Sequence, residues 1–255
     1  MKTVIFCGGI GTRLKEETEY KPKPMVLVGN RPIIWHIMKI YDYYGHKEFI
    51  LPLGYKGDMI KDYFLNYKTR TDFTLDLKHK KIEYHEFEKI EDWKISFVDT
   101  GIKSLTAKRL KRCEDYLKDE DVFMATYGDG LANININDLL KFHKKMGKMC
   151  TITGLNPFSK YGVLDVSEGV VTKFREKPIL KDLINGGFMV FNKEIFNFIK
   201  KDEDCMLEDT TLPKLAEKGE VALYKHEGFW HCMDTYKHFK QLNKMWAEKP
   251  EWKIW

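Results

Sequence analysis

The sequence predicts an α/β fold: a mostly parallel central sheet flanked by helices on both faces, with a small β-rich excursion. Short apolar runs ended by turn residues alternate with segments whose apolar residues recur at helical spacing. That rhythm resumes after one polar interval, and the later half is richer in strand-like runs. Parallel strands need crossover connections, so strands alternating with helices imply a sheet covered on both sides.

Residues 2–7, Lys2-Thr3-Val4-Ile5-Phe6-Cys7, form the first buried strand, closed by Gly8 and Gly9, and the polar stretch through Lys23 is an excursion from it. Across 31–44, Ile33, Ile34, Ile37, Met38, Ile40 and Tyr41 recur at helical spacing and Gly45 stops the helix. A strand at 49–53 follows. The next helix, 58–67, has Met59, Ile60, Tyr63 and Phe64 on its inner face. Residues 70–93 alternate and are charged, which predicts a hairpin or flap beside the sheet. The rhythm then returns with a strand at 96–98, a helix at 107–117, a strand at 122–126 and a helix at 136–146. Further strands are expected at 150–155, 163–166, 170–175, 187–191 and 221–224, and helices at 193–200, 212–218 and 236–247. With no internal repeat, low-complexity tract or flexible linker, one domain over 1–255 is expected, with the flap at 70–93.

Composition narrows the function. A chain of 255 residues that is 43% hydrophobic and 14% aromatic can bury a sizeable core. Its 43 basic and 38 acidic residues are interspersed, so the net charge of +5 describes a solvated surface. The densest basic run, Lys78-His79-Lys80-Lys81, is short and soon followed by acidic residues, unlike a nucleic-acid-binding stripe. Five cysteines without Cys-x-x-Cys spacing imply neither a disulfide framework nor a zinc site and suggest a reducing compartment. No signal-peptide pattern and no apolar run of about 18 residues stands out, so a cytoplasmic protein with no membrane partner is expected.

The first loop holds the first chemical signal. Cys7-Gly8-Gly9-Ile10-Gly11-Thr12-Arg13-Leu14 follows a strand whose carboxyl end faces the usual ligand crevice of such sheets. Glycines there let backbone N–H groups approach phosphate oxygens. It is not a Walker A loop, for no Gly-Lys-Ser/Thr follows, and it lacks the third glycine of a dinucleotide fingerprint. A plain tight turn stays open. Arg13 and the proline-stiffened Lys21-Pro22-Lys23-Pro24-Met25 add the cations that a triphosphate and its departing pyrophosphate require. Two solvated surface lysines are the alternative.

These segments, with Glu16-Glu17-Thr18 and Arg31-Pro32-Ile33-Ile34-Trp35-His36-Ile37-Met38, resemble the opening of the glucose-1-phosphate cytidylyltransferases, members of the sugar nucleotidylyltransferase family. The likeness continues through Gly54-Tyr55-Lys56-Gly57, Val98-Asp99-Thr100-Gly101, Arg109-Leu110-Lys111-Arg112 and Thr126-Tyr127-Gly128-Asp129-Gly130. It extends to Glu176-Lys177-Pro178, Ile184-Asn185-Gly186-Gly187-Phe188 and Gly228-Phe229-Trp230 with Met233-Asp234-Thr235. The resemblance implies a Rossmann-like nucleotide-diphospho-sugar transferase fold and a reaction joining CTP to a sugar 1-phosphate, glucose 1-phosphate first among them, with release of pyrophosphate. It implies nucleotide contacts from Gly8, Gly9, Gly11, Thr12, Arg13, Lys23, Thr106, Arg109, Gly128 and Asp129.

A hard cation such as Mg²⁺ asks for one or two carboxylates plus phosphate oxygens and water. Asp129, exposed between two glycines at the end of a strand, supplies the first, and Asp234, just ahead of a helical run, is the best second; as a helix N-cap it has another use. The resemblance assigns this pair to the metal. An acceptor phosphate, whose second pKa is about 6, needs no general base, so positioning and charge neutralisation suffice and no nucleophile-and-base set is expected. Arg13, Lys23 and Lys177 are the candidate catalytic cations. The resemblance gives Lys177 the acceptor phosphate and Glu176 a bond to sugar hydroxyls, although both also read as a surface strand end with a salt bridge. Tyr127, Asn185, Gly186 and Glu208 complete the expected acceptor side. His36 and His143 read as helix packing or surface residues.

Three departures bear on substrate. The family's Thr-Gly-Gly-Arg-Leu is here Thr106-Ala107-Lys108-Arg109-Leu110; its aromatic-Glu-x-Glu-Pro-Leu is Leu207-Glu208-Asp209-Thr210-Thr211-Leu212; and Lys160 replaces an arginine before Tyr161-Gly162. A reshaped base pocket and a less exacting acceptor site are the expectations. Trp246, Trp252 and Trp255 suggest either an interface or a docked tail, and a homo-oligomer is expected.

Overall fold

The computed structural model describes residues 1–85, 90–200 and 204–255. Among them seven strands form one sheet, in the order Val221–Lys225, Cys150–Leu155, Ile184–Asn192, Val122–Tyr127, Lys2–Phe6, Glu48–Leu53, Lys94–Asp99. Every neighbouring pair is parallel except those made by Ile184–Asn192, which runs antiparallel to both of its partners. The central strands are covered on both faces, and their period-2 alternation sorts them. Ile5, Met124, Phe188 and Val190 enter one core with the Ile33–Tyr43 and Ile136–Met146 helices. Val4, Phe6, Phe123, Ala125, Met189 and Phe191 enter the other with the Thr106–Arg112 and Leu212–Glu217 helices.

The sheet order creates the crevice. From Lys2–Phe6 the chain moves outward through Glu48–Leu53 to the edge strand Lys94–Asp99. It then crosses back to lay Val122–Tyr127 on the other side of the first strand. Connections leaving the carboxyl ends of Lys2–Phe6 and Val122–Tyr127 therefore diverge, and open sheets bind ligands at such a switch point. Both the glycine-rich loop and Gly128-Asp129 leave from these two ends.

Several expected elements change on folding. The helix expected over 107–117 is two, Thr106–Arg112 and Glu114–Leu117, with Cys113 buried at the junction. Its amide reaches back only three residues to the Leu110 carbonyl (2.9 Å), while Leu110, Cys113 and Leu117 keep one buried stripe across the break. Lys193–Phe198 is a 3₁₀ rather than an α-helix: six residues, tied at their start to the Asp121 carbonyl, bury adjacent Ile195 and Phe196 with no length to sustain an α-helix. Within 70–93 a hairpin pairs Phe73–Asp76 with Lys81–Tyr84, while 86–89 lie outside the described residues. A second hairpin pairs Val163–Ser167 with Val170–Arg175.

The C-terminus is a docked tail. Helix Tyr236–Glu248 lays Asn243 against the backbone of Gly29 (2.9 Å) and Leu27 (3.2 Å), and Trp252 is fully buried on His36. Gly29, at φ 64°, is required there because a Cβ would lie 2.1 Å from the Trp246 indole nitrogen. His36 and His143 are packing residues, both buried and hydrogen-bonded, His36 to the Val28 carbonyl and His143 to Thr151 and Asn192.

Candidate active site

A cleft of about 330 Å³ opens at the switch point. Its floor begins at Gly8, where a Cβ would come 2.0 Å from the Arg109 guanidinium; the glycine is what lets that side chain pass beneath the loop. Arg109 is 4% exposed and donates to the carbonyls of Leu53 (2.9 Å), Gly8 (2.9 Å) and Ile102 (3.1 Å) and to the Thr100 hydroxyl (2.5 Å). Burial pulls its pKa down, with charges at Asp204, Cys7 and Asp99 working the other way. All four acceptors are neutral and belong to the framework, so Arg109 lines the cleft chiefly as the brace of its glycine-rich loop.

A short ribbon that sequence reading did not find builds the mouth. Gly130–Ala132 pairs antiparallel with Trp230–Cys232, and the Met233 amide donates to the Asp129 carbonyl (2.8 Å). Asp129 immediately precedes one strand and Asp234 closely follows the other, so their carboxylates face one point. Lys23, held in the 3₁₀ turn Lys23–Met25, places its ammonium there, 2.5 Å from Asp129 Oδ2 and 2.7 Å from Asp234 Oδ1. The Arg13 guanidinium reaches Asp234 at 3.0 Å from an exposed position. Burial works against the Lys23 charge, but the two carboxylates outweigh it and its pKa rises. Burial likewise raises Asp234, yet Lys23 and Arg13 bring it below the ordinary carboxylate range. Thr235 is the N-cap of the last helix, accepting from the His238 amide, which frees Asp234 from that use.

The mouth fits a hard divalent cation. Among the described residues no set of three or more His, Cys, Asp or Glu gathers as a metal cluster. Two converging carboxylates that already hold a cationic group between them supply the donors such an ion takes from protein when phosphate and water complete its shell. Burial pushes the Cys232 thiol up to about 12, with Asp234 and Asp129 adding to it, and drives Cys7 higher still.

The third wall is a polar chain. Tyr127, at the end of its strand, packs its ring on Gly187, where φ is 83° and a Cβ would come 2.6 Å from the ring. Its hydroxyl donates to Glu208 and accepts from the Asn185 amide (3.5 Å); Thr106 donates to the other Glu208 oxygen (2.8 Å). Glu208 stands in a π-helical turn, Leu207–Thr211, a conformation that recurs at functional sites.

Of the residues singled out from sequence, Gly8, Gly9, Gly11, Thr12, Arg13, Lys23, Thr106, Arg109, Tyr127, Gly128 and Asp129 line the cleft, and Asp234, Asn185 and Glu208 bond to residues that do. Gly186 turns its carbonyl to the Trp230 indole N–H (2.7 Å). Glu176 and Lys177 are not brought to the lining. They pair with each other at 2.9 Å on the surface, with Lys177 at φ 45°. Ala107 is buried in the core and Lys108 lies 4.0 Å from Asp204, so neither departure lines the cleft. Sequence reading missed Ser104, Leu105 and Met206, which complete the lining and carry no motif of their own. Trp230 lies in a family-like motif that carries no site role in the sequence.

Comparison with known proteins follows the same lines. The family described as "Nucleotidyl transferase" matches residues 2–248. The chain is 47% identical to a Bacillus subtilis (strain 168) protein named "Probable glucose-1-phosphate cytidylyltransferase", over the full length of both. It is 44% identical to the Salmonella typhimurium "Glucose-1-phosphate cytidylyltransferase", again over both full lengths. Among solved structures it is similar to a UTP-bound UGPase from Acinetobacter baumannii, with TM-score 0.72, 18% identity and coverage of 98% of this chain and 95% of that one. At that identity the likeness speaks for the fold, which is the nucleotide-diphospho-sugar transferase fold.

Proposed function

The chain belongs to the nucleotidyl transferase family, and from that premise we propose that it transfers CMP from CTP to a sugar 1-phosphate, glucose 1-phosphate foremost, giving a CDP-sugar and pyrophosphate. The observation that carries this reading is the meeting of Arg13, Lys23, Asp129 and Asp234 at the mouth of a cleft floored by a glycine-rich loop. An acceptor phosphate oxygen attacks the α-phosphorus, the bond to the bridging oxygen of the β-phosphate breaks, and pyrophosphate leaves with that electron pair. The acceptor is an anion near neutral pH, so no residue need remove a proton. Arg13 and Lys23 hold the triphosphate and offset the charge gathering on the leaving group. Asp129 and Asp234 are the residues to hold Mg²⁺, which would neutralise phosphate oxygens in the transition state.

On the acceptor side Tyr127 and Asn185 orient the sugar, with Lys177 and Glu176 assigned to its phosphate and hydroxyls. Residues 1–255 act as one catalytic domain, with a flap at 70–93, working in the cytoplasm as a homo-oligomer.

Pyrophosphate release measured over a grid of nucleoside triphosphates and phosphorylated acceptors with Mg²⁺ tests the assignment. The largest kcat/KM is expected for CTP with glucose 1-phosphate. Release with no acceptor present, or with none of the sugar 1-phosphates, overturns it.

A further inference from the structure

The sequence places Glu208 on the acceptor side, and in the folded chain each of its oxygens accepts one hydrogen bond. Oε1 accepts from the Tyr127 hydroxyl and Oε2 accepts from Thr106 Oγ1 at 2.8 Å. Those partners come from two separate elements that both line the cleft. Thr106 opens the Thr106–Arg112 helix, where its hydroxyl also accepts from the Leu207 amide (2.9 Å). Tyr127 ends a central strand and takes the Asn185 amide on its oxygen (3.5 Å), while Asn185 Oδ1 accepts from the Gly187 amide (2.8 Å). The bonds form one directional chain: Gly187 to Asn185, Asn185 to Tyr127, Tyr127 to Glu208, with Thr106 entering from the helix start. Every proton points toward the single carboxylate.

We propose that Glu208 is a positioning residue that couples the nucleotide wall to the acceptor wall, resting on the transfer reading above. Its carboxylate sets the Thr106 hydroxyl and the Tyr127 hydroxyl at once. A hydroxyl–carboxylate bond is stronger than a neutral one, and a low-dielectric chain of such bonds holds its members in one arrangement. The coupling has a chemical consequence at Tyr127. Its proton is committed to Glu208 and one lone pair to Asn185, so what it offers a ligand is an acceptor. A sugar hydroxyl meets that requirement and a carbonyl or carboxylate oxygen does not.

The anchoring of Glu208 fits a brace. Leu207 beside it is fully buried, and the preceding segment is stitched to the same helix start by Leu105 N to Asp204 Oδ1 (2.8 Å) and Ala107 N to the Cys205 carbonyl (3.1 Å).

The test uses the whole chain with CTP, Mg²⁺, glucose 1-phosphate and a series of monodeoxyglucose 1-phosphates, comparing wild type with Glu208→Ala, Glu208→Gln, Tyr127→Phe and the Glu208→Ala/Tyr127→Phe double variant. Misplacing a positioned group by about 1 Å costs roughly 100-fold, and a loss of that size in kcat/KM is expected for Glu208→Ala, with KM raised for both substrates. Across the deoxy analogues the loss should follow the pattern of Tyr127→Phe, both shrinking for the same analogue, and adding Tyr127→Phe should cost less than about threefold more, because the two residues act as a unit. Glu208→Gln, which keeps one acceptor oxygen, should recover part of the activity. If the effect of Glu208→Ala disappears for one deoxy analogue on which Tyr127→Phe keeps its full effect, Glu208 binds that hydroxyl directly and the proposal is wrong. Full additivity with Tyr127→Phe also overturns it. Should Glu208→Ala fail to fold by circular dichroism, Glu208→Gln with the deoxy series decides in the same way. Failure of the wild type with CTP and glucose 1-phosphate counts against the transfer reading instead.

Discussion

The floor and the mouth of the cleft manage charge in opposite ways. At the floor Arg109 is almost wholly buried and meets only neutral oxygens, three carbonyls and a hydroxyl. At the mouth Lys23 and Arg13 meet the carboxylates of Asp129 and Asp234. A charge bonded to framework oxygens has nothing to exchange, and removing it takes one donor from each of them. A charge paired with a charge can trade its partner for a phosphate or a metal ion. Arg13 and Arg109 both belong to family motifs and look alike in sequence; their partners separate their work.

The largest effect should come from the mouth. Asp129→Asn removes one of two proposed metal carboxylates and is expected to lower kcat by about 10³-fold or more while circular dichroism and the unfolding midpoint stay close to wild type. Retained activity within a few fold of wild type removes Asp129 from the metal site and weakens the contrast at its root.

The floor should fail through stability. Arg109→Met leaves the Ile102 carbonyl without its donor, while the Gly8 carbonyl keeps the Tyr55 amide and the Leu53 carbonyl keeps Thr100. A cost of about 1–3 kcal/mol in urea unfolding is expected, that of one unsatisfied buried polar group. Lys23→Ala should instead leave the unfolding curve nearly in place and lower kcat more than it raises KM. If Arg109→Met unfolds like wild type, or Lys23→Ala loses as much stability as Arg109→Met, floor and mouth do not differ as described.

A third region extends the floor's pattern away from the cleft. His36 is buried among Trp35, Trp246, Trp252 and Trp255, with Nε2 donating to the Val28 carbonyl (2.9 Å) and Nδ1 accepting from the Trp252 indole (3.4 Å). Burial brings its pKa down from 6.5 to about 4, with the Val28 and Arg31 backbone bonds opposing and the Arg31 and Lys253 charges assisting. The unfolded chain then binds a proton that the folded chain refuses. Its contribution is complete above the unfolded pKa near 6.5 and is lost as pH falls toward 4, on the order of 3 kcal/mol across that window. Urea unfolding of wild type and His36→Phe between pH 4 and 7 measures it; the wild-type slope should flatten in the variant. Equal slopes would show that His36 titrates normally.

How legible this was depends on the distance over which each feature is encoded. Strands 150–155 and 170–175 and the helix 136–146 have bounds that match the structure because periodicity is a local property. The loop glycines, Lys23 and Asp129 were found for the same reason. What brings Asp129 to Asp234 was not legible: two three-residue strands about 100 positions apart have too few residues for alternation to register. The nucleotide contact of Arg109 and the sugar contact of Glu208 rest on the family resemblance, whereas the four framework acceptors of Arg109 come from segments whose proximity only the fold creates. Ala107 and Lys108 were expected to reshape the base pocket; in the folded chain Ala107 is buried in the core, Lys108 lies by Asp204, and neither lines the cleft.

The smallest effect is the one that turns on those two residues. The donor wall is lined by Ser104, Leu105, Thr106 and Arg109, whereas the Gly8 carbonyl is occupied by Arg109 and by the Tyr55 amide (3.1 Å). The group that distinguishes cytosine from uracil and thymine is its exocyclic amine. A pocket that offers that amine an acceptor leaves the acceptor unpaired when a carbonyl takes its place. CTP is therefore expected to exceed UTP and dTTP by at least about tenfold in kcat/KM with glucose 1-phosphate, or ~1.4 kcal/mol. Because Ala107 and Lys108 point away from the cleft, Ala107→Gly with Lys108→Gly should change that ratio by less than about twofold, even though two helical glycines cost roughly 1 kcal/mol each in stability. Measuring kcat/KM for the three triphosphates in both proteins separates the possibilities. Parity of UTP with CTP in the wild type removes the donor preference, and a ratio that moves tenfold in the double variant places 107–108 among the residues that read the base.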